Sequence, residues 1–179
     1  PSEVIYSDLD GDLLRRDFTI NAMALDIGSS NFGYLTDPFG GISDIEKKII
    51  KTPLDPDQTF SEDPLRMMRA AYFASKLGFA IDDDCRRSMK EQASRLHIVS
   101  SERVRDEFIK ILNTDKPSIG LAILQKTGLM EIVFPEIHAM HGMDQTSEWH
   151  HKDVFAHTLQ VVDNSAKLSD KMELRFAAL

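Results

Sequence analysis

Arg15-Arg16-Asp17-Phe18-Thr19-Ile20-Asn21-Ala22-Met23, followed downstream by Glu62-Asp63-Pro64-Leu65-Arg66-Met67-Met68-Arg69, decides how this chain is read. The second block opens a helix. Pro64 suits the first helical position and Asp63 the cap before it. Positions three apart are neighbours on a helix, so Asp63, Arg66 and Arg69 form a polar stripe. Much of the remaining helix is apolar: Leu65, Met67, Met68, Ala70, Ala71, Phe73, Ala74 and Leu77. A mostly buried helix that carries one acid and two arginines must find partners for them. Spacing alone favours a capped helix with an intrahelical ion pair.

The same residue types carry a second, chemical reading. Cytosine and adenine each place an exocyclic amine donor beside a ring-nitrogen acceptor. A carboxylate accepts from the amine while a guanidinium donates to the ring nitrogen. Guanine and uracil present the opposite pattern and leave both protein groups mispaired. Asp63 with Arg66 is therefore a sensible selector for C and A. By spacing alone, the first block reads as an amphipathic helix over 10–25 with a solvated basic face, its apolar positions being Leu13, Leu14, Ile20, Met23 and Leu25.

Outward from these blocks, residues 1–8 read as an extended entry and Gly28-Ser29-Ser30-Asn31 as a turn. Tyr34-Leu35-Thr36 reads as a short strand ending at Asp37-Pro38-Phe39-Gly40-Gly41. A short helix over 42–47 and a strand over 48–52 follow. Helices are expected over 64–77, 83–95, 101–113, 116–127 and 152–178, punctuated by Gly78, Ser100-Ser101, Pro117, Gly128 and Pro135. The class is α+β: a small mixed piece over 1–55, a helical region over 56–135, and a linker with the start of another helical unit over 136–179. The stretch 136–150 is the expected irregular linker.

Composition is that of a globular protein, 42% hydrophobic and 28% charged, with a net charge of −8. That balance argues against a uniformly basic nucleic-acid binder, although charge on one face outweighs the total. A single cysteine, Cys85, rules out an internal disulfide framework and fits a reducing cytoplasm. No secretion signal or membrane-length apolar run is visible. Pro1 and the helical pattern running into Leu179 suggest an internal piece of a longer protein.

Together, in this order and spacing, the two blocks resemble the nucleotide-binding half of the class II tRNA nucleotidyltransferases, the CCA-adding enzyme and poly(A) polymerase family. The resemblance spans essentially the whole chain. It implies the end of a nucleotidyltransferase head, a helical nucleotide- and RNA-binding neck, and the opening of an HD-type domain. Arg16 then resembles a phosphate-side arginine, and Asp17 with Asn21 the ribose contacts. Asp63, Arg66 and Arg69 belong to the nucleotide site. Asp37-Pro38-Phe39-Gly40-Gly41-Ile42-Ser43-Asp44 resembles a hinge motif, with Gly40 and Gly41 as the hinge candidates. Where many relatives carry a further arginine after Arg69, this chain has Tyr72, which puts one phosphate contact in doubt.

What the resemblance implies for the parent protein is template-independent addition of C, C and A to tRNA 3′ ends, from CTP and ATP with Mg²⁺, in the cytoplasm. Within the family the alternatives are poly(A), A-only or CC-only addition. From another class comes an HD-domain phosphohydrolase with a degenerate nucleotidyltransferase module. The Asp-x-Asp that would hold the metals is expected upstream of this chain, so the chain alone is expected to bind nucleotide weakly and not to catalyse. Asp8-x-Asp10-x-Asp12 reads instead as an acidic helix start. Ser101-Glu102-Arg103-Val104-Arg105-Asp106-Glu107-Phe108 resembles a further family motif at a helix start and reads as structural, capped by Ser100 or Ser101, with local ion pairs fixing the helix under the nucleotide. In Trp149-His150-His151-Lys152-Asp153-Val154-Phe155-Ala156-His157, His157 would be a metal ligand only in a complete HD-type domain. His138 and His141 read as surface residues. Oligomeric state is not legible.

Overall fold

The computed structural model describes residues 8–143 and 153–179. Its first helix, α1 (Leu9–Leu14), begins at Asp8, whose carboxylate accepts the Gly11 N–H at 2.9 Å. It stops far short of the expected residue 25. After Arg15-Arg16 the chain turns into a single 3₁₀ turn at Thr19–Asn21 and then a strand, β1 (Ala24–Leu25). The backbone donors an α-helix would need are committed elsewhere. Phe18 N–H goes to the Asp17 carboxylate at 2.9 Å, and Thr19 N–H to the Lys51 carbonyl at 2.8 Å. Local carboxylate bonding and β-branched Thr19-Ile20 both favour that outcome. β1 pairs antiparallel with β2 (Leu35–Thr36), Ala24 opposite Thr36 and Leu25 opposite Leu35. A helix α2 (Gly41–Lys47) and a strand β3 (Ile49–Ile50) follow where the sequence placed them.

β3 pairs in parallel with β4 (Ala80–Ile81), a strand the sequence pattern did not reveal. Between them run α3 (Pro56–Glu62) and α4 (Leu65–Leu77). α3 also went unread, although its signals are present: Pro56 occupies the first turn, and Asp55 accepts the N–H groups of Asp57 and Gln58 at 2.8 and 3.3 Å. The remaining array is α5 (Asp83–Gln92), α6 (Ser101–Leu112), α7 (Pro117–Thr127), α8 (Leu129–Val133), α9 (Pro135–Ala139), α10 (Val154–Leu168) and α11 (Met172–Ala177). The expected helix 83–95 ends early in a 3₁₀ stretch at Ala93–Ile98. The expected linker from 136 begins inside α9, and its residues 144–150 lie outside the described residues, as does the entry over 1–7. The expected single helix 152–178 breaks at Ser169-Asp170-Lys171, where Arg175 draws on the carbonyls of Ser169 and Ala166. Ser100 precedes α6 in extended geometry but neither it nor a neighbour makes the expected hydroxyl cap.

α4 is the centre of the molecule. It packs against both α6 and α7, and Met67, Met68, Ala70, Ala71 and Ala74 are fully buried. The same core takes in Phe18 and Ile50 on one side and Phe155 and Val162 on the other. Packing thus runs without a break past residues 55 and 135. The architecture is α+β, a small mixed head piece followed by a mainly helical body. Of the described residues, no helix is long and apolar enough to cross a membrane.

Candidate functional site

The two sequence blocks face the same cleft, about 820 Å³ in volume. One wall comes from the end of α1 and the turn after it, through Asp12, Arg15, Arg16, Asp17 and Asn21. The floor comes from the start of α4, through Asp63, Leu65, Arg66 and Arg69. The opposite wall is α6, through Arg103, Asp106, Glu107 and Lys110. Burying the apolar side of α4 forces its polar stripe outward, and that stripe becomes the floor.

Asp17 and Arg69 bind each other across the cleft. Arg69 Nε and its terminal nitrogen reach one Asp17 oxygen at 2.7 and 2.6 Å. Asp17 is only 8% exposed, and it also accepts from Phe18 N–H and, at 3.4 Å, from the Asn21 amide. Arg69 lies against the Phe73 ring, 5.5 Å from its centroid. So the two blocks are joined by a partly buried ion pair, with Asp17 held by three separate donors.

Asp63 and Arg66 do not form the expected intrahelical pair. Asp63 precedes the helix proper. One of its oxygens accepts the Leu65 N–H at 3.2 Å, capping a helix that starts one residue later than the sequence suggested, and the other meets Arg103 at 3.1 Å. Arg66 folds back instead, donating to the Arg15 carbonyl at 2.7 Å and the Thr59 carbonyl at 3.4 Å, with Glu62 at 3.6 Å. Both head groups nevertheless line the cleft. Arg16 also lines it, paired with Asp12 at 2.8 Å while Arg15 takes Asp12's other oxygen. Those two guanidinium groups, Arg16 foremost, hold the Asp12 carboxyl below the usual carboxylate range.

The sequence placed α6 under the nucleotide as a support and did not read its side chains as a wall of the cleft. Arg103, Glu107 and Lys110 recur at helical spacing on one face, but they read as local ion pairs, and two such pairs exist: Lys110 to Glu107 at 2.7 Å and Arg105 to Asp106 at 3.0 Å. What the spacing hid is that this face points at α4.

Only one of the paired glycines is packed. Gly40 has φ +72°, and its position is open. Gly41 is buried, and a Cβ there would stand 2.3 Å from the Thr19 carbonyl. Only Gly40 has the positive φ expected of both. Asp37 accepts the N–H groups of Gly41 and Ile42 at 2.7 and 3.0 Å at the start of α2, and the Thr19 hydroxyl donates to Asp44 at 2.7 Å, anchoring α2 against the 3₁₀ turn. His157 faces solvent on α10; His138 is half-buried beside Gln125 at 3.2 Å, and His141 packs on the Phe155 ring. His150 and His151 lie outside the described residues. Among the described residues no group of His, Cys, Asp or Glu could hold a metal ion. Asp8 is spent on its cap and Asp12 on its arginines, so residues 8–12 do not fit a metal pair.

A small mixed head piece joined to a helical body, with a charged cleft at the junction, is the arrangement of a nucleotidyltransferase head on an RNA-binding neck. Residues 1–51 match the family described as the poly A polymerase head domain. Residues 78–140 match the family described as "Probable RNA and SrmB- binding site of polymerase A". The chain belongs to the class II tRNA nucleotidyltransferase family. It is 42% identical over 176 residues to the multifunctional CCA protein of Vibrio campbellii, covering 95% of this chain and 42% of that protein. It is 40% identical to the Vibrio parahaemolyticus protein of the same name, over the same shares. The Bacillus stearothermophilus CCA-adding enzyme solved with CTP is 31% identical, with a TM-score of 0.71, over 97% of this chain and 46% of that one. A tRNA nucleotidyltransferase solved with a primer tRNA and an incoming ATP analog is 28% identical, with a TM-score of 0.72, over 100% of this chain and 48% of that one. The chain thus spans less than half the length of these relatives.

Proposed function

We propose that the cleft is the nucleotide site of a protein that adds C, C and A to tRNA 3′ ends from CTP and ATP. One observation carries the reading: Asp17 with Arg69, and Asp63 with Arg66, converge on one cleft although they come from blocks far apart in sequence. Support also comes from the solved relatives, one with CTP and one with a primer tRNA and an ATP analog.

In this reading each side chain has a task its chemistry suits. Asp63 accepts the exocyclic amine of the incoming base while Arg66 donates to the adjacent ring nitrogen. To do so Asp63 shares or releases Arg103, a half-exposed pair whose net worth is small. Arg66 is pre-set by the Arg15 and Thr59 carbonyls, so little side-chain freedom is lost when a base arrives. Arg15, Arg16 and Lys110 ring the cleft as cations for phosphate oxygens. Asn21 and Asp17, which also line the cleft, are the groups that would read a sugar hydroxyl. Phosphoryl transfer in this family calls for Mg²⁺. The described residues do not fit a metal site.

The test uses the longer protein with tRNA lacking its 3′ trinucleotide. Two additions with CTP alone, and a third only when ATP is also present, are expected. Long A tails would reassign it to poly(A) addition. Within that assay, Asp63→Asn is expected to cut CTP and ATP incorporation about a hundredfold and to erode discrimination against GTP and UTP, because the amide offers a donor where only acceptors stood.

A further inference from the structure

Glu107 is the one side chain of the cleft whose buried oxygen has no hydrogen-bond partner among the described residues: its Oε2 is buried and unpaired. The residue is 4% exposed. Its other oxygen depends on Lys110 at 2.7 Å, an ammonium that is half exposed at the rim of the cleft. The next cation is Arg69, whose free terminal nitrogen stands 3.9 Å from that same oxygen, Oε1, just beyond hydrogen-bonding reach. The other side of that guanidinium is already fixed on Asp17. A buried carboxylate cannot lose its partner and remain charged without another.

These distances fix what happens when a polyanion enters. The triphosphate of a nucleotide competes for Lys110, the exposed cation, and not for Arg69, which is paired and less exposed. Glu107 is then left bare unless it takes the free Arg69 nitrogen. We propose that Glu107 is a positioning residue that exchanges Lys110 for Arg69 when a nucleoside triphosphate binds, completing an Asp17–Arg69–Glu107 bridge. The proposal rests on the nucleotide reading of the cleft. The bridge ties the turn after α1, the floor helix α4 and the wall helix α6 into one unit. Phosphate charge, sensed by Lys110, thereby firms the floor on which Asp63 and Arg66 read the base. A movement of about an ångström in α6 or in the Glu107 side chain suffices, since a charge-assisted bond needs roughly 2.7–2.9 Å.

The Arg69 guanidinium reports this directly by NMR on this chain. A guanidinium bonded on both sides rotates more slowly about its terminal C–N bonds. Adding CTP is expected to slow Arg69 rotation about tenfold, the effect of one charge-assisted bond. Lys110→Met, an exposed change that leaves the core intact, is expected to give the slowed state with no ligand. Glu107→Gln is expected to abolish the CTP effect while Arg69 keeps its Asp17-bound Nε signal. A purely structural Glu107 moves neither signal in the Lys110→Met chain. Unchanged Arg69 rotation in Lys110→Met overturns the proposal, as does an undiminished CTP response in Glu107→Gln. If CTP leaves Arg69 untouched in the longer protein as well, the nucleotide reading falls, while the Lys110→Met result still judges the Glu107–Arg69 exchange. Should Glu107→Gln fail to fold, Lys110→Met alone decides.

Discussion

Two arginines packed against α6 are used in opposite ways. Arg175, at its C-terminal end, is sealed, its side chain 4% exposed. Its nitrogens are spent on carbonyls: Leu112 at 2.7 Å, Thr114 at 2.8 Å, Ser169 at 2.9 Å and Ala166 at 3.2 Å, with Asp170 besides. Arg69, against the middle of α6, is 33% exposed, faces carboxylates, and keeps a nitrogen short of its neighbour. A guanidinium spent on carbonyls closes the last turn of a helix and has nothing left for a ligand. One set among carboxylates can trade partners, because carboxylates can also be satisfied by other cations. The contrast separates the end of α6 that holds the fold from the stretch that builds the site.

The largest expected effect tests that separation. Arg175→Met strips several buried carbonyls of their donor and should cost about 3 kcal/mol or more in urea unfolding. Arg69→Met should cost about half as much, because Asp17 keeps Phe18 and Asn21 as donors, yet it should cut CTP incorporation by the longer protein about tenfold or more. Equal destabilisation by the two changes would break the comparison.

How much of this contrast could be read in advance follows from range. α4, α6 and α7 were legible because their apolar spacing and punctuating Pro and Gly are local. The convergence of the two blocks was legible only through their joint pattern. Partners were not. Spacing by three suggested Asp63 with Arg66, but Asp63 stands before the helix, in extended geometry, and turns to Arg103 on α6. Asp17 with Arg69 is a contact across 52 positions that no local rule supplies. Two-residue strands such as β4 leave no periodicity to detect. The break of the expected first helix was hidden likewise, since it depends on the distant Lys51 carbonyl.

A smaller effect probes the sealed end by volume. Gly120 of α7 lies so close that a Cβ there would stand 2.6 Å from Ile111 Cγ2 and 2.8 Å from Ser75 Oγ. That serine accepts the Gly120 N–H at 2.7 Å, so it cannot swing away without losing the bond. Gly120→Ala should cost about 2 kcal/mol through overpacking. Asp106→Ala, on the open stretch of α6, should stay within about 0.5 kcal/mol. A tolerant Gly120 would mean that the sealed end has slack.

A smaller loss than that at Gly120 concerns how α10 is set, the helix whose Asp163 caps α7 through Ser118 N–H at 3.0 Å and its hydroxyl at 2.7 Å. Asp153 starts α10, accepting the N–H groups of Gly142 at 2.7 Å and Ala156 at 3.2 Å. The Gly142 N–H, foremost, and those of Ala156 and Phe155 hold its carboxyl below the usual range. A depressed folded-state value means stability that is present above the unfolded value of about 3.9 and lost as pH falls through the folded one. Asp153→Ala should therefore lower stability by about 1 kcal/mol at pH 7. The gap between the two proteins should close as unfolding is repeated below about pH 4, where the native carboxyl also takes up its proton. A gap constant with pH would show that Asp153 acts through shape and not through charge. α10 would then be fastened like the Arg175 end, by fixed bonds, and not like the cleft, by charges that can be exchanged.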